Sequence, residues 1–445
     1  MRDAIEFMID DFHERGVPAP VRRDAATPEM PGKATVVAGM RRTGKSWFCF
    51  QRIQELEASG IPRERLLYLN FEDDRLLPFE ARDFQLVLDV FFARHPDLKA
   101  HECHFFLDEI HRIPGWEAFV RRVLDTERIR LWLTGSSAKL LSGEIATALR
   151  GRSLTAEIFP LGFREFLRFH REEDAAHPPY GSGRRAILRH ATERYLRVGG
   201  FPEVQAVPEN LWGTVLQGYV DTVILRDVVE RHGVRNTPAL RALIRAVLGS
   251  PGGRFSVNRF YGAMKSAGLH CDKNELYRFT EYLSDAFFLY PVEMHARSLK
   301  VRQVNPRKFY VVDTGLLQAM SYRMTQDRGA LLENLVYMTL RRRRFRPDYY
   351  MTRTGREVDF VLAGPDDSRQ LVQACWSLDD PATRERELRA LREAQAELRA
   401  ETATVVTWDE EGSADDGVRI IPVWRWLIDE PDAPAPLPPD TAEAG

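Results

Sequence analysis

Residues 34–46 read ATVVAGMRRTGKS, an apolar run with β-propensity that leads into a glycine-containing loop and then into a helical pattern. The spacing G-x-x-x-x-G-K-S between a strand and a helix is typical of a phosphate-binding loop. Backbone N–H groups of such a loop, together with the helix N-terminus, bind phosphate oxygens. We expect Lys45 to reach the β- and γ-phosphates and the Ser46 hydroxyl to ligate Mg²⁺. The predicted loop residues are Gly39, Met40, Arg41, Arg42, Thr43, Gly44, Lys45 and Ser46.

The composition is that of a globular chain without a secretory or membrane signature. Its 445 residues are enough for about three domains. The net charge is -2, from 63 basic and 65 acidic residues, so any basic surface must be local. The four cysteines include no C-x-x-C pair, and no apolar run approaches the roughly 20 residues of a membrane helix. We therefore expect a cytoplasmic protein with no membrane contact.

Four further segments have the pattern of buried strands that alternate with helices. They are residues 66–71, 103–107, 129–133 and 153–159, with helical patterns at 45–58 and 81–94. This alternation predicts an α/β fold with a parallel sheet covered on both faces. Ligands bind such sheets outside the carboxyl ends of the strands, so the polar residues at these ends should converge.

Two acidic residues, Asp108 and Glu109, follow the strand at 103–107. Asp108 is expected to hold Mg²⁺ through water, as the second acidic motif of phosphate-loop enzymes does. Glu109 is suited to polarise a water for in-line attack on the γ-phosphate. A strand lies between the phosphate loop and this pair, as in the ATPase branch with the adjacent glutamate. A solvated strand end is the alternative, and His111 is interpreted as a local contact rather than a catalytic base.

Two further polar positions are candidates for catalysis. Ser136, with Thr134, ends the strand at 129–133, where a polar side chain can sense the γ-phosphate and position the water; a simple turn is the alternative. Arg152 or Arg150 is predicted to reach the nucleotide of a neighbouring subunit and stabilise transition-state charge. For this arginine, a surface ion pair is the alternative.

These motifs make the chain similar to the bacterial and archaeal AAA-type ATPases that carry a winged-helix segment and a C-terminal nuclease-like domain of unknown function. The matching segments are GMRRTGKS at 39–46, YLNFED at 68–73, LDEI at 107–110, LTGSS at 133–137, GR at 151–152, PLGFREF at 160–166, GGFPE at 199–203 and KFYVVDTG at 308–315. The resemblance covers roughly residues 15–430 and implies binding and hydrolysis of ATP with Mg²⁺. The chain also lacks the Asn-Lys-x-Asp motif that reads guanine.

The predicted organisation has several parts. An N-terminal helix and arm (1–33) precede a P-loop parallel-sheet ATPase domain (34–160), a helical lid (161–237), a winged-helix domain (238–315), a restriction-endonuclease-like α/β domain (316–428) and a disordered tail (429–445). The winged helix is predicted from helices at 240–248, 256–264 and 273–283 and strands at 287–292 and 308–312.

The hairpin between the two strands of the predicted winged helix is rich in basic residues. From Met294 to Val312 there are five arginines and lysines and no acidic residue. Such a strip is suited to contact phosphates of nucleic acid. The residues predicted to do so are Arg297, Lys300, Arg302 and Arg307, with Lys308 beside them. A solvated hairpin, or a docking surface for the ATPase domain, is the alternative.

The order of elements in the C-terminal third resembles the restriction-endonuclease core, which places a helix acid, a strand acid and E-x-K around Mg²⁺. Glu333 and Asp359 match the first two positions, but the third element reads Gln373-Ala374-Cys375. Gln373 can still ligate a metal through its carbonyl oxygen, whereas Cys375 supplies no positive charge and prefers softer metals. We therefore expect a nuclease core that has lost its activity and is kept for binding or assembly.

The sequence thus predicts an ATP-hydrolysing switch or remodelling protein that uses ATP and Mg²⁺. DNA, protein partners and a homo-oligomer are the candidate interactions. One alternative is a metal-dependent nuclease gated by ATP, and another is a non-catalytic docking module whose ATP site sets only its conformation.

Overall fold

The computed structural model describes residues 1–136, 147–320, 327–364, 366, 368–414 and 417–429. The chain divides into two compact units. The first is Met1–Phe159 with the short segment Asp285–Phe287, and the second contains Pro160–Ser284 and the residues from Phe288 onward. Ser137 of the strand-end motif and the predicted disordered tail beyond residue 429 lie outside the described residues.

The first unit is built on a five-stranded sheet in which every neighbouring pair is parallel. Its strands are β1 Ala34–Ala38, β2 Leu66–Asn70, β3 Cys103–Asp108, β4 Ile129–Gly135 and β5 Ser153–Glu157. Their order in the sheet is β2-β3-β4-β1-β5. The predicted parallel sheet is confirmed, and β4 lies between the strand that leads into the glycine loop and the strand that ends at the acidic pair.

Helices accompany these strands, and the helix that follows the glycine loop is held against the sheet by a buried apolar cluster. The helices of this unit are Arg2–Glu14, Lys45–Ala58, Phe84–Arg94 and Trp116–Thr126. Phe48 and Ile53 of the helix Lys45–Ala58 belong to one buried cluster with Phe106 of β3 and Trp132 of β4. Because full burial of one such apolar side chain contributes roughly 1.5–3 kcal/mol, this packing holds the helix against the sheet.

The second unit begins with a helical segment. Its helices are Phe163–Phe169, Ser182–Val198, Pro202–Gln205 and Trp212–Thr222. A π-helix, Val223–Glu230, continues directly from the last of these. The sequence pattern predicts a helix at 219–230, and this segment is partly π-helical. Hydrophobic periodicity does not reveal such a change of hydrogen-bond register.

A small antiparallel sheet with three helices follows. The helices are Thr237–Leu248, Val257–Ser266 and Lys273–Asp285, and the strands are β6 Arg254–Phe255, β7 Leu289–Val292 and β8 Arg307–Val311, in the order β6-β8-β7. The order helix, strand, helix, helix, strand, strand agrees with the winged-helix interpretation, which stays a prediction.

The antiparallel pairing predicted for the hairpin of β7 and β8 is confirmed, but the connection between the two strands is not a simple loop. Residues Leu299–Val304 form a short helix there. The chain after β7 also pairs with the region of Tyr349, through the bridge of Met294 and the hydrogen bond from the Tyr349 N–H to the Glu293 carbonyl at 3.0 Å. The segment that carries the predicted basic residues is therefore partly helical.

The last part of the second unit is a mixed six-stranded sheet. Its strands are β9 Asp348–Met351, β10 Glu357–Ala363, β11 Arg369–Ala374, β12 Thr402–Thr407, β13 Gly412–Ser413 and β14 Arg419–Pro422, in the order β13-β14-β12-β11-β10-β9. The helices are Thr314–Met320, Arg328–Arg342, Pro381–Leu398 and Val423–Ile428. The sequence pattern predicts five strands in this part, at 349–352, 357–362, 371–375, 403–407 and 419–423, and these are confirmed to within two residues. β13 and the final helix were not predicted.

Candidate functional site

The glycine loop connects β1 to the helix Lys45–Ala58, as the sequence predicts. Gly44 has a φ of 93° and Arg42 a φ of 67°, so the backbone turns through left-handed conformations here. Gly39 has no room for a side chain, because a Cβ there would lie 2.2 Å from the Ile158 carbonyl oxygen. The Thr43 hydroxyl donates to the Met40 carbonyl at 2.9 Å, which closes the loop on itself.

The Lys45 ammonium is buried within this loop. Its Nζ donates to the carbonyl oxygens of Gly39 and Met40, both at 3.2 Å. The same nitrogen lies 3.8 Å from Glu109 Oε1. One cation therefore faces both the loop backbone and the second residue of the acidic pair.

Asp108 is held by three hydroxyl groups. Ser46 Oγ donates to its Oδ2 at 2.6 Å, and Tyr68 OH donates to the same oxygen at 2.5 Å. The Thr134 hydroxyl donates to Oδ1. The two predicted metal-binding residues, Ser46 and Asp108, thus lie in contact, and their oxygens are hard ligands of the kind that Mg²⁺ prefers.

Glu109 is buried beside the loop, with 8% of the residue exposed. Its backbone has a φ of 54°, and its N–H donates to Thr134 Oγ1 at 3.0 Å. Its Oε2 lies 3.3 Å from His111 Nδ1, so His111 is a local contact of the glutamate. Burial raises the pKa of Glu109, while the Lys45 ammonium opposes this rise. A carboxylate with a raised pKa is a stronger base toward water.

Ser136 lies next to the glycine loop. β4 pairs with β1 so that Gly135 is opposite Ala38, which places Ser136 beside Gly39 at the carboxyl edge of the sheet. Ser136 is 1% exposed, and within the described part of the chain its Oγ has no hydrogen-bond partner. A buried hydroxyl without a partner is uncommon and costly, so a ligand at this edge would supply one.

Arg152 lies at the opposite edge of the sheet. Its carbonyl accepts a hydrogen bond from the N–H of Ala34, the first residue of β1, at 2.9 Å. The glycine loop follows the last residue of β1, and five residues of strand span about 16 Å. The Arg152 guanidinium forms an ion pair with Asp125. The surface ion pair that the sequence left open is therefore present.

Two residues around the site were not among the predicted site residues. Tyr68 contacts Asp108, but in the sequence it is one of two aromatic residues in the apolar segment 66–71. Arg23, in the N-terminal arm, donates through its guanidinium to the carbonyl oxygens of Thr43 at 2.8 Å and Phe159 at 2.6 Å. No motif marks Arg23, because its role depends on the folded path of the arm.

The predicted nuclease residues Glu333 and Asp359 lie close together, but a lysine lies between them. Lys308 Nζ donates to Glu333 Oε1 at 2.8 Å and to Asp359 Oδ1 at 3.0 Å. Gln373 does not face them as a free ligand: its carbonyl oxygen accepts the Asp359 N–H at 3.1 Å, and its amide donates to Glu387 at 2.9 Å.

The predicted nucleic-acid residues differ in their surroundings. Arg307 pairs with Glu293 at 2.8 Å, and Arg302 lies 3.3 Å from Glu293 and 3.8 Å from Asp348. Arg297 and Lys300 are exposed. A phosphate would have to compete with carboxylates at the first two positions, so a nucleic-acid contact, which stays a prediction, rests mainly on Arg297 and Lys300.

The first unit carries an AAA-type ATPase domain, because the AAA domain family (AAA_14) matches residues 31–167. Two domains of unknown function match the rest, DUF8612 over residues 189–327 and DUF4143 over residues 328–426. The mixed α/β architecture with its parallel five-stranded sheet agrees with a P-loop ATPase domain.

The chain belongs to the same family as the uncharacterized protein MJ1544 of Methanocaldococcus jannaschii. The two are 31% identical over 436 residues, which cover 95% of this chain and 94% of that protein. An uncharacterized protein of Haemophilus influenzae is 27% identical over 394 residues, with 88% of this chain and 94% of that protein covered.

Solved structures give only a distant likeness. Cdc6p from Pyrobaculum aerophilum is 12% identical with a TM-score of 0.25, covering 72% of this chain and 91% of that chain. PCH-2 from C. elegans is 12% identical with a TM-score of 0.23, covering 48% of this chain and 54% of that chain. These scores are too low to support an inference about function.

Two features are absent from the described residues. None of the helices there is both long and apolar enough to cross a membrane. The same residues contain no group of three or more His, Cys, Asp or Glu side chains that could hold a metal ion. The Ser46–Asp108 pair does not form such a group. In P-loop enzymes the phosphates of the nucleotide supply further ligands to Mg²⁺, so fewer protein ligands are needed.

Proposed function

We propose that this chain binds ATP with Mg²⁺ and hydrolyses it, as the motor of a switch or remodelling protein. The observation that carries the proposal is the convergence of Lys45, Ser46, Asp108 and Glu109 at one edge of the sheet. Lys45 Nζ lies 3.8 Å from Glu109 Oε1, and Ser46 Oγ lies 2.6 Å from Asp108 Oδ2. The match to the AAA domain supports the same conclusion.

The roles follow from the charges and hydrogen bonds of the site. The loop backbone and Lys45 bind the negative phosphates. Ser46 and Asp108 would hold Mg²⁺, and this ion would supply positive charge to neutralise the bound phosphates. Glu109 accepts a proton from the attacking water, and its burial strengthens it as a base. The Ser136 hydroxyl would donate a hydrogen bond to the γ-phosphate.

The direct test is steady-state hydrolysis of Mg·ATP by the full chain and by Glu109→Gln. We expect the variant to hydrolyse ATP at least about 100-fold more slowly, because general-base catalysis contributes factors of this size. Glu102→Gln is the matched control, because Glu102 is an exposed acid just before the same strand, and it should keep the wild-type rate. A Glu109→Gln rate close to wild type would contradict the proposal.

Nucleic acid is a second candidate partner, favoured by the exposed Arg297 and Lys300 in the segment between β7 and β8. The same assay should include duplex and single-stranded DNA. Stimulation by DNA that is lost in the double variant Arg297→Ala/Lys300→Ala would support a DNA-coupled ATPase. A hydrolysis rate that depends on Glu109 but does not change when DNA is added would favour a protein partner.

The cytoplasmic location and the assembly into a homo-oligomer belong to the same proposal. All four cysteines are free of disulfide bonds, as is usual for proteins in a reducing environment. In a homo-oligomer, Arg152 would contact the nucleotide bound by a neighbouring copy of the chain.

A further inference from the structure

A buried lysine occupies the carboxylate cluster of the second unit. Lys308 on β8 is 1% exposed. Its Nζ lies 2.8 Å from Glu333 Oε1, 2.7 Å from Glu357 Oε1 and 3.0 Å from Asp359 Oδ1. An ammonium group has three N–H donors, so each of the three carboxylates can accept one of them.

The four side chains come from three separate elements. Glu357 and Asp359 are two residues apart on β10 and therefore point to the same face of the sheet. Glu333 comes from the helix Arg328–Arg342, and Lys308 comes from the three-stranded sheet. The ammonium thus joins β8 to both the helix and the six-stranded sheet.

Neighbouring contacts also fix the position of β8 beside the helix Arg328–Arg342. Tyr310, two residues after Lys308, donates through its hydroxyl to Glu333 Oε1 at 2.6 Å. The Asn334 side chain accepts from the Val311 N–H at 2.8 Å and donates to the Val311 carbonyl at 2.9 Å. A Cβ at Gly252, where φ is +72°, would lie 2.8 Å from Glu333 Oε1, so this glycine leaves the space that the carboxylate fills.

The remaining ligand atoms of the predicted nuclease site are also engaged. Asp359 Oδ2 accepts the Ala374 N–H at 3.0 Å, while its Oδ1 faces the lysine. Gln373 bonds to the Asp359 backbone and to Glu387. A divalent ion would need these oxygens as ligands, and it would also have to displace a bound cation.

The charges of the cluster favour the ammonium form of the lysine. Burial alone would lower the pKa of Lys308, but Tyr310, Asp359, Glu333 and Glu357 together raise it well above its ordinary value. Burial and the Asp359 carboxylate raise the pKa of Glu333, against the opposing effect of Lys308. Arg254 adds a second cation, with its Nε 3.2 Å from Glu357 Oε2.

We propose that the Lys308 ammonium is the built-in cation of the cluster Glu333, Glu357 and Asp359, where it closes the site to divalent metal ions and joins β8 to the C-terminal sheet. The C-terminal domain then has no metal-dependent nuclease activity while β8 is in place. The E-x-K lysine of active nucleases is missing from this chain. Lys308 supplies a positive charge in its place, but it does so as part of a structural ion pair. This proposal is independent of ATP hydrolysis.

The first test removes the cation while keeping the shape of the side chain. We expect Lys308→Met to be strongly destabilised in thermal unfolding, because three neighbouring carboxyl groups, of which Asp359 is buried, lose their counter-ion. We expect added Mn²⁺ to restore part of the lost stability. Neutralising the cluster as well, in Lys308→Met/Glu357→Gln/Asp359→Asn, should restore stability without metal. A Lys308→Met protein as stable as wild type would overturn the proposal, and so would a neutralised variant no more stable than Lys308→Met.

The second test uses the folded wild-type protein, so it does not depend on how the lysine variant folds. Free Mn²⁺ is titrated in the absence of nucleotide and followed by electron paramagnetic resonance, for wild type and Asp359→Asn. We expect the same amount of bound Mn²⁺ in both proteins, because the lysine excludes the metal from the cluster. Saturable Mn²⁺ binding to wild type that is lost in Asp359→Asn would show that metal displaces the ammonium and would overturn the proposal.

Discussion

The Thr134 hydroxyl links the two acidic residues of the candidate ATPase site. It donates to Asp108 Oδ1 and accepts from the Glu109 N–H, so one side chain fixes the carboxylate of the first residue and the backbone of the second. Tyr68 adds a hydrogen bond to the other Asp108 oxygen. The expected metal ligand is thereby held in one orientation before any ion binds, and such outer contacts tune metal affinity.

Tyr68→Phe should weaken Mg²⁺ binding without removing a ligand. We expect the Mg²⁺ concentration for half-maximal ATP hydrolysis to rise about tenfold, with a near-normal rate at saturating Mg²⁺. Tyr350→Phe is a matched control, because Tyr350 also donates to a carboxylate, Glu397, at 2.7 Å in the other unit. An unchanged Mg²⁺ requirement in Tyr68→Phe would show that Tyr68 does not position Asp108.

Gly39→Ala should impair ATP binding by distorting the loop. The added Cβ would meet the Ile158 carbonyl oxygen at 2.2 Å, and relieving such a clash typically costs about 1–3 kcal/mol. We expect ATP affinity to fall at least about tenfold, measured with a fluorescent ATP analogue. Gly213→Ala, where the added Cβ meets nothing within 4 Å, should bind normally. Equal affinity in the two variants would contradict the tight packing of the loop.

At the scale of elements, Asp313 connects two segments that are far apart in the chain. It follows β8, and it accepts the Gly200 N–H at 2.8 Å and the Gly315 N–H at 2.9 Å. A Cβ at Gly199 would lie 1.7 Å from Asp313 Oδ1. The GGFP and VVDTG motifs of the sequence thus meet at one buried carboxylate.

Asp313→Asn should change how stability depends on pH. Burial raises the pKa of Asp313 to about 6, against the opposing backbone N–H donors. The folded state therefore binds more protons than the unfolded state between about pH 4 and pH 6, and this carboxylate makes the free energy of unfolding fall as pH rises through that window. The variant lacks this slope. Because the NH₂ group of the introduced asparagine faces one of the two N–H donors, the variant should be about 1–3 kcal/mol less stable than wild type at pH 4. This difference should shrink as pH rises to 7, because only the wild type loses stability in that window.

Urea unfolding at pH 4, 5, 6 and 7 checks this prediction, with the exposed Asp379→Asn as a control. Since Glu333 also titrates with a raised pKa, the informative quantity is the difference between wild type and Asp313→Asn at each pH. A difference that stays constant from pH 4 to pH 7 would exclude the predicted titration of Asp313.

The sequence was sufficient to predict the candidate ATPase site, because its residues lie in local motifs that follow predicted strands. The loop at 39–46 and the pair Asp108–Glu109 follow apolar strands, so their convergence could be predicted from the parallel sheet. Lys308 could not be placed in the same way: in the sequence it is one of five basic residues near a predicted hairpin. Its burial depends on which strand face meets Glu333, a tertiary contact that neither periodicity nor propensity encodes.

At the scale of the whole molecule, Arg152 requires a second copy if it acts in catalysis. It lies beside the first residue of β1, whereas the glycine loop follows the last. The arginine is therefore at the wrong edge of the sheet for the nucleotide of its own chain. Only an oligomer that brings this edge to the loop of a neighbour would allow it to act as a finger.

Mixing two impaired variants tests this arrangement. Arg152→Ala should lose at least about tenfold in hydrolysis, since arginine fingers contribute larger factors. A mixture with Glu109→Gln should regain activity, because some sites combine an intact Glu109 with a neighbour's Arg152. The negative control mixes the double variant Glu109→Gln/Arg152→Ala with Glu109→Gln; it contains no intact Glu109 and should show no regain. A full rate in Arg152→Ala alone would rule out the finger.

The most direct test of the central claim is a single-turnover measurement on Glu109→Gln with Mg·ATP bound beforehand. ATP affinity is measured on the same protein by equilibrium titration. The account predicts ATP affinity within a few-fold of wild type and a chemical step at least about 100-fold slower. A chemical step at the wild-type rate would contradict the assignment of Glu109 as the base that activates water.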